Sequence, residues 1–294
     1  MREVGVQIGN PDLKSGRECA ISAAIHRCAT RRPIGASLLP KPFVFDQPLQ
    51  SEAREAKMEF LHRVVAPWKS ELRMNTALDL GCGVGYFSAM LRNAGLQVTA
   101  VDGRMENIEE ARNRHPGVDF RVADAEDPSL GGLGTFDLVF CFGLLYHLEN
   151  PLRAVRNLHA LTGKVLLLES MVIPEEPPFL IIMDEGPVED QSLRYISCYP
   201  SEGAILKMMY RAGFAHVYRF REMPNHEDYR PAMGRVRRRT VIAASALALD
   251  SQLLDVAAEP KLSGDLWNTD PTGIINKLRR FRSKLRRPRT RDRP

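Results

Sequence analysis

Five short apolar runs separated by helical patterns limit what this chain can fold into more than any other feature. Leucine-rich or β-branched runs fall at about 76–80 (TALDL), 97–101 (QVTAV), 118–122 (VDFRV), 136–141 (FDLVFC) and 164–169 (KVLLLE). Helical spacing follows near 85–94, 105–114, 151–161 and 201–212, with Pro151 and Ser201 well placed at helix starts. Such alternation predicts an α/β fold of βαβ units around a parallel sheet. Two late runs, about 214–221 (FAHVYRFR) and 239–246 (RTVIAASA), would finish the sheet. Ahead of it, residues 51–72 read as a helix with Met58, Leu61 and Val65 on one face.

The rest of the chain divides around this body. Residues 1–50 show no sustained period, and KPFVFDQP (41–48) reads as an extended connector because both prolines disfavour helix before them. The expected organisation is an irregular extension (1–50), one domain (51–250) and a basic tail (251–294). Within the domain, an acidic, proline-rich stretch, PEEPPFLIIMDEGPVED, opens an insertion at about 174–200, read as a loop that either lids an acceptor site or is simply solvated.

The first strand runs straight into Gly81-Cys82-Gly83-Val84-Gly85 and then a helical segment. Glycines there let backbone N–H groups approach a ligand at a helix N-terminus. The dinucleotide fingerprint is G-x-G-x-x-G, whereas here the third glycine comes one residue early, and there is no phosphate-loop G-x-x-x-x-G-K-[ST]. Asp79, two positions before the first glycine, suits an amine-bearing ligand better than a pyrophosphate, which it would repel. Asp102 ends the second strand, twenty-one residues after Gly81, where a carboxylate can accept from ribose hydroxyls. Asp124 and Ala125 follow the third strand, where an adenine edge can be met. Three acids after three consecutive strands define one crevice.

At these residues the chain resembles the class I S-adenosylmethionine-dependent methyltransferases. LDLGCGVG, VDGR, VADAED and FDLVFCFGLLYHLENP stand in that family's order and spacing, over roughly residues 50–250. The resemblance implies a Rossmann-like three-layer sandwich with a seven-stranded, mostly parallel sheet whose last strand is antiparallel. It implies S-adenosyl-L-methionine as cofactor, with its methionine end near Asp79, Gly81, Gly83 and Gly85, its ribose on Asp102, its adenine on Asp124 and Ala125, and Phe142 bordering it. FGLLYHLENPL, LLLESMVI and YPSEGAIL are regionally similar to the branch containing the tRNA wobble-uridine carboxymethyltransferase. That enzyme holds a carboxylated cofactor partly with basic and tryptophan side chains upstream of the first strand; KPFVFDQPLQSE offers no equivalent, which favours plain methyl transfer to a small molecule.

Methyl transfer is an in-line displacement, so orientation supplies much of the rate and a base helps only when the acceptor must lose a proton. His147 follows the fourth strand facing the crevice, and imidazoles titrate near neutral pH; it is either the base or a residue satisfying the next loop. Tyr146 can border a sulfonium through its ring face or simply pack. Glu169 is either an acceptor ligand or a structural acid. The remaining histidines lack ligand spacing, so no metal is expected. Absence of an NPPY-type segment argues against exocyclic amino groups of flipped bases as acceptors.

Charge is distributed unevenly. Residues 277–294 hold ten Lys/Arg and one acid, leaving a body near −4. This tail is a solvated extension or an electrostatic contact to tRNA or an anionic membrane surface. Five scattered cysteines without a C-x-x-C pair point to the reducing cytoplasm, and no run reaches the roughly 20 apolar residues of a membrane span. The three readings in play are a small-molecule methyltransferase, a tRNA-modifying enzyme, and a cofactor-binding protein without turnover.

Overall fold

Period-two alternation along the strands creates two cores, one on each face of the sheet. In a computed structural model, which describes residues 43–185, 191–231 and 237–260, five strands run parallel: β1 (Thr76–Leu80), β2 (Gln97–Asp102), β3 (Asp119–Val122), β4 (Phe136–Phe142) and β5 (Thr162–Val172). Their order is β3-β2-β1-β4-β5. Successive side chains point to opposite faces. Leu138, Phe140, Val165 and Leu167 therefore enter one core, while Val139, Cys141, Leu166 and Leu168 enter the other. Helices α1 (Pro48–Glu71), α2 (Tyr86–Asn93) and α3 (Met105–Arg114) close the first with Phe60, Leu61, Trp68, Leu91 and Ile108. Helices α4 (Pro151–Leu161) and α5 (Glu202–Ala212) close the second with Val155, Leu158, Ile205 and Met209. The result is the expected three-layer α/β sandwich.

Between β5 and α5 the chain leaves the sheet as a hairpin, β6 (Leu180–Asp184) and β7 (Ile196–Pro200), so the insertion read as a loop is partly antiparallel strand. Its prolines Pro174, Pro177 and Pro178 precede β6 and do not interrupt the ladder. Strand β9 (Arg238–Ser245) then pairs antiparallel with both β5 and β8 (His216–Phe220).

Among the described residues the sheet has eight strands, not seven. Strand β10 (Leu254–Val256), in the stretch assigned to the tail, adds antiparallel to β8, and the Ala257 N–H donates to the Val217 carbonyl at 2.8 Å. Only Leu254 of the three is buried, so the strand leaves little trace in the apolar pattern. The N-terminal boundary differs too. Val44–Asp46 is a 3-10 turn and α1 starts at Pro48, where a proline loses nothing because the first helical N–H groups have no partner anyway. Gln47, just before that proline, does adopt the extended backbone expected of it. The basic tail at 277–294 lies outside the described residues, among which no helix is long and apolar enough to cross a membrane.

Candidate active site

In the sheet, β1 lies between β2 and β4, so the crossovers leave it in opposite directions and a crevice opens at the strands' C-terminal ends. A cavity of about 550 Å³ occupies it, within the range of small-molecule sites. Gly81, Asp102, Asp124, Ala125 and Phe142 line the cavity, as do Tyr146 and His147.

The glycine turn is tight for identifiable reasons. Gly83 has φ +53°, and a Cβ there would stand 2.8 Å from the Phe45 ring. Gly85, at φ +86°, starts α2 in the left-handed region, with the Phe120 ring 2.8 Å from where its Cβ would be. The Gly83 N–H donates to Asp102 Oδ2 at 2.9 Å, which locks the turn to the end of β2. Asp102 Oδ1 accepts from the Arg104 N–H at 2.9 Å and from Asn107 Nδ2 at 3.0 Å. A carboxylate has about four acceptor positions, so the three donors leave capacity on Oδ2 for another.

Asp79 stands elsewhere than expected. Its carboxyl is buried within the domain, accepts from Ser88 Oγ at 2.6 Å and does not line the cavity. Burial raises its pKa to about 7, against the pull of the Ser88 hydrogen bond. A raised pKa means that the folded chain keeps a proton which the unfolded chain gives up from about pH 4, so this group's contribution to stability falls as pH rises towards 7. Asp79→Asn should therefore stabilise the ligand-free protein above pH 7 by on the order of 2–4 kcal/mol and change little below pH 4; urea unfolding at the two pH values measures this.

Asp124 Oδ1 accepts from the Glu126 N–H at 2.9 Å, while Oδ2 meets Arg194 Nη2 at 2.6 Å. Arg194 comes from the hairpin arm and also pairs with Glu126. Nearby, Arg104 Nη2 donates to the Ser192 carbonyl at 2.9 Å. The arm is thus tied to the segments after β2 and β3. Phe142 stacks on Phe140 at 4.0 Å between centroids, two residues apart on one face of β4.

His147 sits in a 3-10 turn, Leu145–His147, after β4. Its Nδ1 lies 2.9 Å from the Glu185 carboxylate, which also accepts from Ser197 Oγ at 2.7 Å and from the Gln191 N–H at 2.9 Å. Burial acts to raise the Glu185 pKa, but these donors hold it below the usual carboxylate range. The Tyr146 ring is tilted by 42° against His147 and stacks on Tyr199, with centroids 4.2 and 5.8 Å away, and its hydroxyl accepts from Arg239 Nη2 at 3.3 Å.

Glu169 does not end its strand and does not reach the cavity. Fully buried, it binds Arg239 Nη1 at 3.0 Å, Lys57 Nζ at 3.4 Å and the Tyr229 hydroxyl at 3.1 Å. Both cations do line the cavity. Burial lowers the Lys57 pKa to about 8 despite Glu169. Lys57, Arg239, Glu185 and Arg194 all escaped the sequence reading. The signal for Lys57 was its place one helical turn before Leu61 on the apolar stripe, where a cation needs a buried partner. Phe45 and Asp46 escaped as well. Asp46 is bound by Arg114 Nη2 at 2.8 Å and the Tyr86 hydroxyl at 2.6 Å, fixing the 3-10 turn against the glycine loop; these bonds lower its pKa to about 2, with the Arg114 hydrogen bond the main cause.

Sheet order, the glycine turn on β1 and the carboxylate at the end of β2 together give a Rossmann-like α/β domain with a ligand crevice at the strands' C-terminal ends. Residues 78–164 match a family model described as a methyltransferase domain. The chain is 36% identical over 100 residues to the ubiquinone biosynthesis O-methyltransferase of Xanthomonas campestris pv. campestris (strain B100), covering 32% of this chain and 42% of that protein. It is 28% identical over 157 residues to the tRNA U34 carboxymethyltransferase of Pseudoalteromonas translucida, covering 51% of this chain and 48% of that one. The chain thus matches less than half the length of either relative. A solved structure of the N-terminal domain of EvdMO1 with SAH bound shares the fold, with a TM-score of 0.53 and 21% identity over 63% of this chain and 80% of that one. Among the described residues no cluster of three or more His, Cys, Asp or Glu side chains could hold a metal ion.

Proposed function

We propose that the protein is an S-adenosylmethionine-dependent methyltransferase acting on O, N or C of a small-molecule acceptor. The observation that carries this reading is Asp102, oriented by three donors beside the glycine turn and retaining acceptor capacity at the cavity wall. The residues present fit the cofactor: Asp102 for its ribose, the backbone at Gly81 for its methionine end, Asp124 and Ala125 for the adenine edge, and Phe142 as an apolar wall. When bound, it supplies an electrophilic methyl group on a sulfonium. The chain's part is to hold the acceptor in line, exclude water through the hairpin arm, and take up a proton at His147 when the acceptor carries one. The buried, unpaired thiols of Cys82, Cys141 and Cys198 suit a reducing compartment such as the cytoplasm.

Calorimetry with S-adenosylhomocysteine and NAD tests the reading. The sulfur ligand should bind and NAD should not; the reverse order would overturn it. Asp102→Asn should weaken the sulfur ligand by about 1.5–3 kcal/mol, the worth of a hydrogen bond to a charged acceptor.

One observation favours a second reading, tRNA modification. Lys57, on the helix upstream of β1, brings to the cavity a basic side chain of the kind the carboxymethyl chemistry uses, and the basic tail would serve as an arm for RNA. Mass spectrometry of cell extract and tRNA incubated with protein and isotopically labelled cofactor separates the two.

A further inference from the structure

We infer that Glu185, delivered by the hairpin, is a positioning residue that holds His147 as the Nδ1–H tautomer and leaves Nε2 as the proton acceptor at the cavity. The inference rests on the methyltransferase reading above. An ionised carboxylate can only accept hydrogen bonds, so at 2.9 Å from Glu185 the Nδ1 of His147 must carry the hydrogen. Glu185 is itself held by Ser197 Oγ on β7 and by the Gln191 N–H in the arm, so its carboxylate is fixed from two sides. No described residue bonds Nε2, and His147 lines the cavity. The side chain of Glu185 is 5% exposed and that of His147 14%, so water competes little for their bond.

Among the described residues, Glu185 is the charged group that pairs with the imidazole. Its turn packs against β5, β7 and α4. From β5 comes Glu169, already held by Lys57 and Arg239. From β7 come the buried Cys198 thiol and Tyr199, whose ring stacks on Tyr146. From α4, Arg153 and Arg156 turn to solvent and His159 packs against Phe214. On its own turn stands Tyr146.

In the transfer step the acceptor's X–H bond breaks and its proton passes to Nε2. The freed electron pair bonds the methyl carbon, and the electrons of the broken C–S bond return to sulfur. The resulting imidazolium is stabilised through Nδ1–H by Glu185 and later releases its proton to solvent. The Gln191 and Ser192 end of the arm holds Glu185 through the Gln191 N–H and takes the Arg104 side chain on the Ser192 carbonyl.

The test is nitrogen NMR of ¹⁵N-histidine-labelled full-length protein at about pH 8.5, where imidazoles are mostly neutral, with the His147 signals assigned by their loss in His147→Asn. The expected result is Nδ1 protonated and Nε2 bare. Glu185→Ala should abolish that pattern and return the ring to the Nε2–H form that free imidazole side chains prefer. Glu185→Gln should preserve it, since the amide oxygen still accepts. An Nε2–H tautomer in the wild type, or an unchanged pattern in Glu185→Ala, would overturn the proposal. The wild-type spectrum decides even where a variant fails to fold. Calorimetry with S-adenosylhomocysteine on the same samples keeps the two ideas apart. Failure of the wild type to bind sinks the methyltransferase reading, whereas binding with the wrong tautomer sinks only the role of Glu185.

Discussion

Glu169→Gln is expected to lower the free energy of unfolding by about 3–5 kcal/mol, because it removes the carboxylate that two buried cations share and leaves Arg239 its 3.4 Å pair with the partly exposed Asp228. Glu169 is fully buried on β5, and burial acts to raise its pKa, yet Lys57 and Arg239 hold it below the usual range. Removing the charge while keeping the shape isolates the electrostatic part. Lys57 limits the damage, since its pKa is already lowered to about 8 and it can give up its proton, whereas Arg239 cannot. The pH dependence follows from the same value. The folded protein releases the Lys57 proton near pH 8 and the unfolded chain only near 10.5, so the unfolded state binds more protons in that window and this group's contribution to stability rises with pH. Without the Glu169 charge, which raises the Lys57 pKa, the variant gives up this proton at lower pH than the wild type, so its deficit should shrink between pH 7 and pH 9 without vanishing. Urea unfolding midpoints at those two values measure it; a loss under about 1 kcal/mol, the worth of an exposed pair, would show that water reaches the cluster.

Why this cluster escaped the sequence while the glycine turn did not is a matter of range. The turn, Asp102 and the strands β1 to β5 are written locally: apolar runs with a period of two, glycines where the backbone needs a positive φ, and an acid at a strand end. Each can be read within about ten residues. Lys57, Glu169 and Arg239 come from α1, β5 and β9 and meet only because β9 inserts antiparallel beside β5. Glu185 and His147 likewise meet across 38 residues, through a hairpin whose first strand is mostly exposed and so carries no alternating pattern. Asp79 was legible as a motif residue but not in direction. Alternation along β1 turns it towards Ser88 on α2 and into the body of the domain, while the neighbouring Leu80 lines the cavity. Strand β10 is missed for a further reason: an edge strand of three residues with one buried side chain is held by its backbone, which any sequence provides.

His147→Ala is expected to reduce kcat by roughly 10²–10⁴ with an acceptor that must lose a proton, the usual worth of general-base catalysis, while cofactor affinity changes little. The division follows from position. His147 sits in the turn after β4 beside Tyr146, and Glu185 reaches it from the hairpin, whereas the cofactor's polar contacts are assigned to the ends of β1, β2 and β3. A loss in kcat without a matching rise in KM is the mark of an interaction made only in the transition state. His147→Asn sharpens the experiment, because the amide can orient an acceptor but cannot take its proton at neutral pH. Near-full activity in the Asn variant would reduce His147 to an orienting residue and leave the rate to proximity alone. An acceptor with no proton to lose would show no such loss in either variant. The comparison of the Ala and Asn variants therefore reports on the chemistry of the acceptor as well as on the residue.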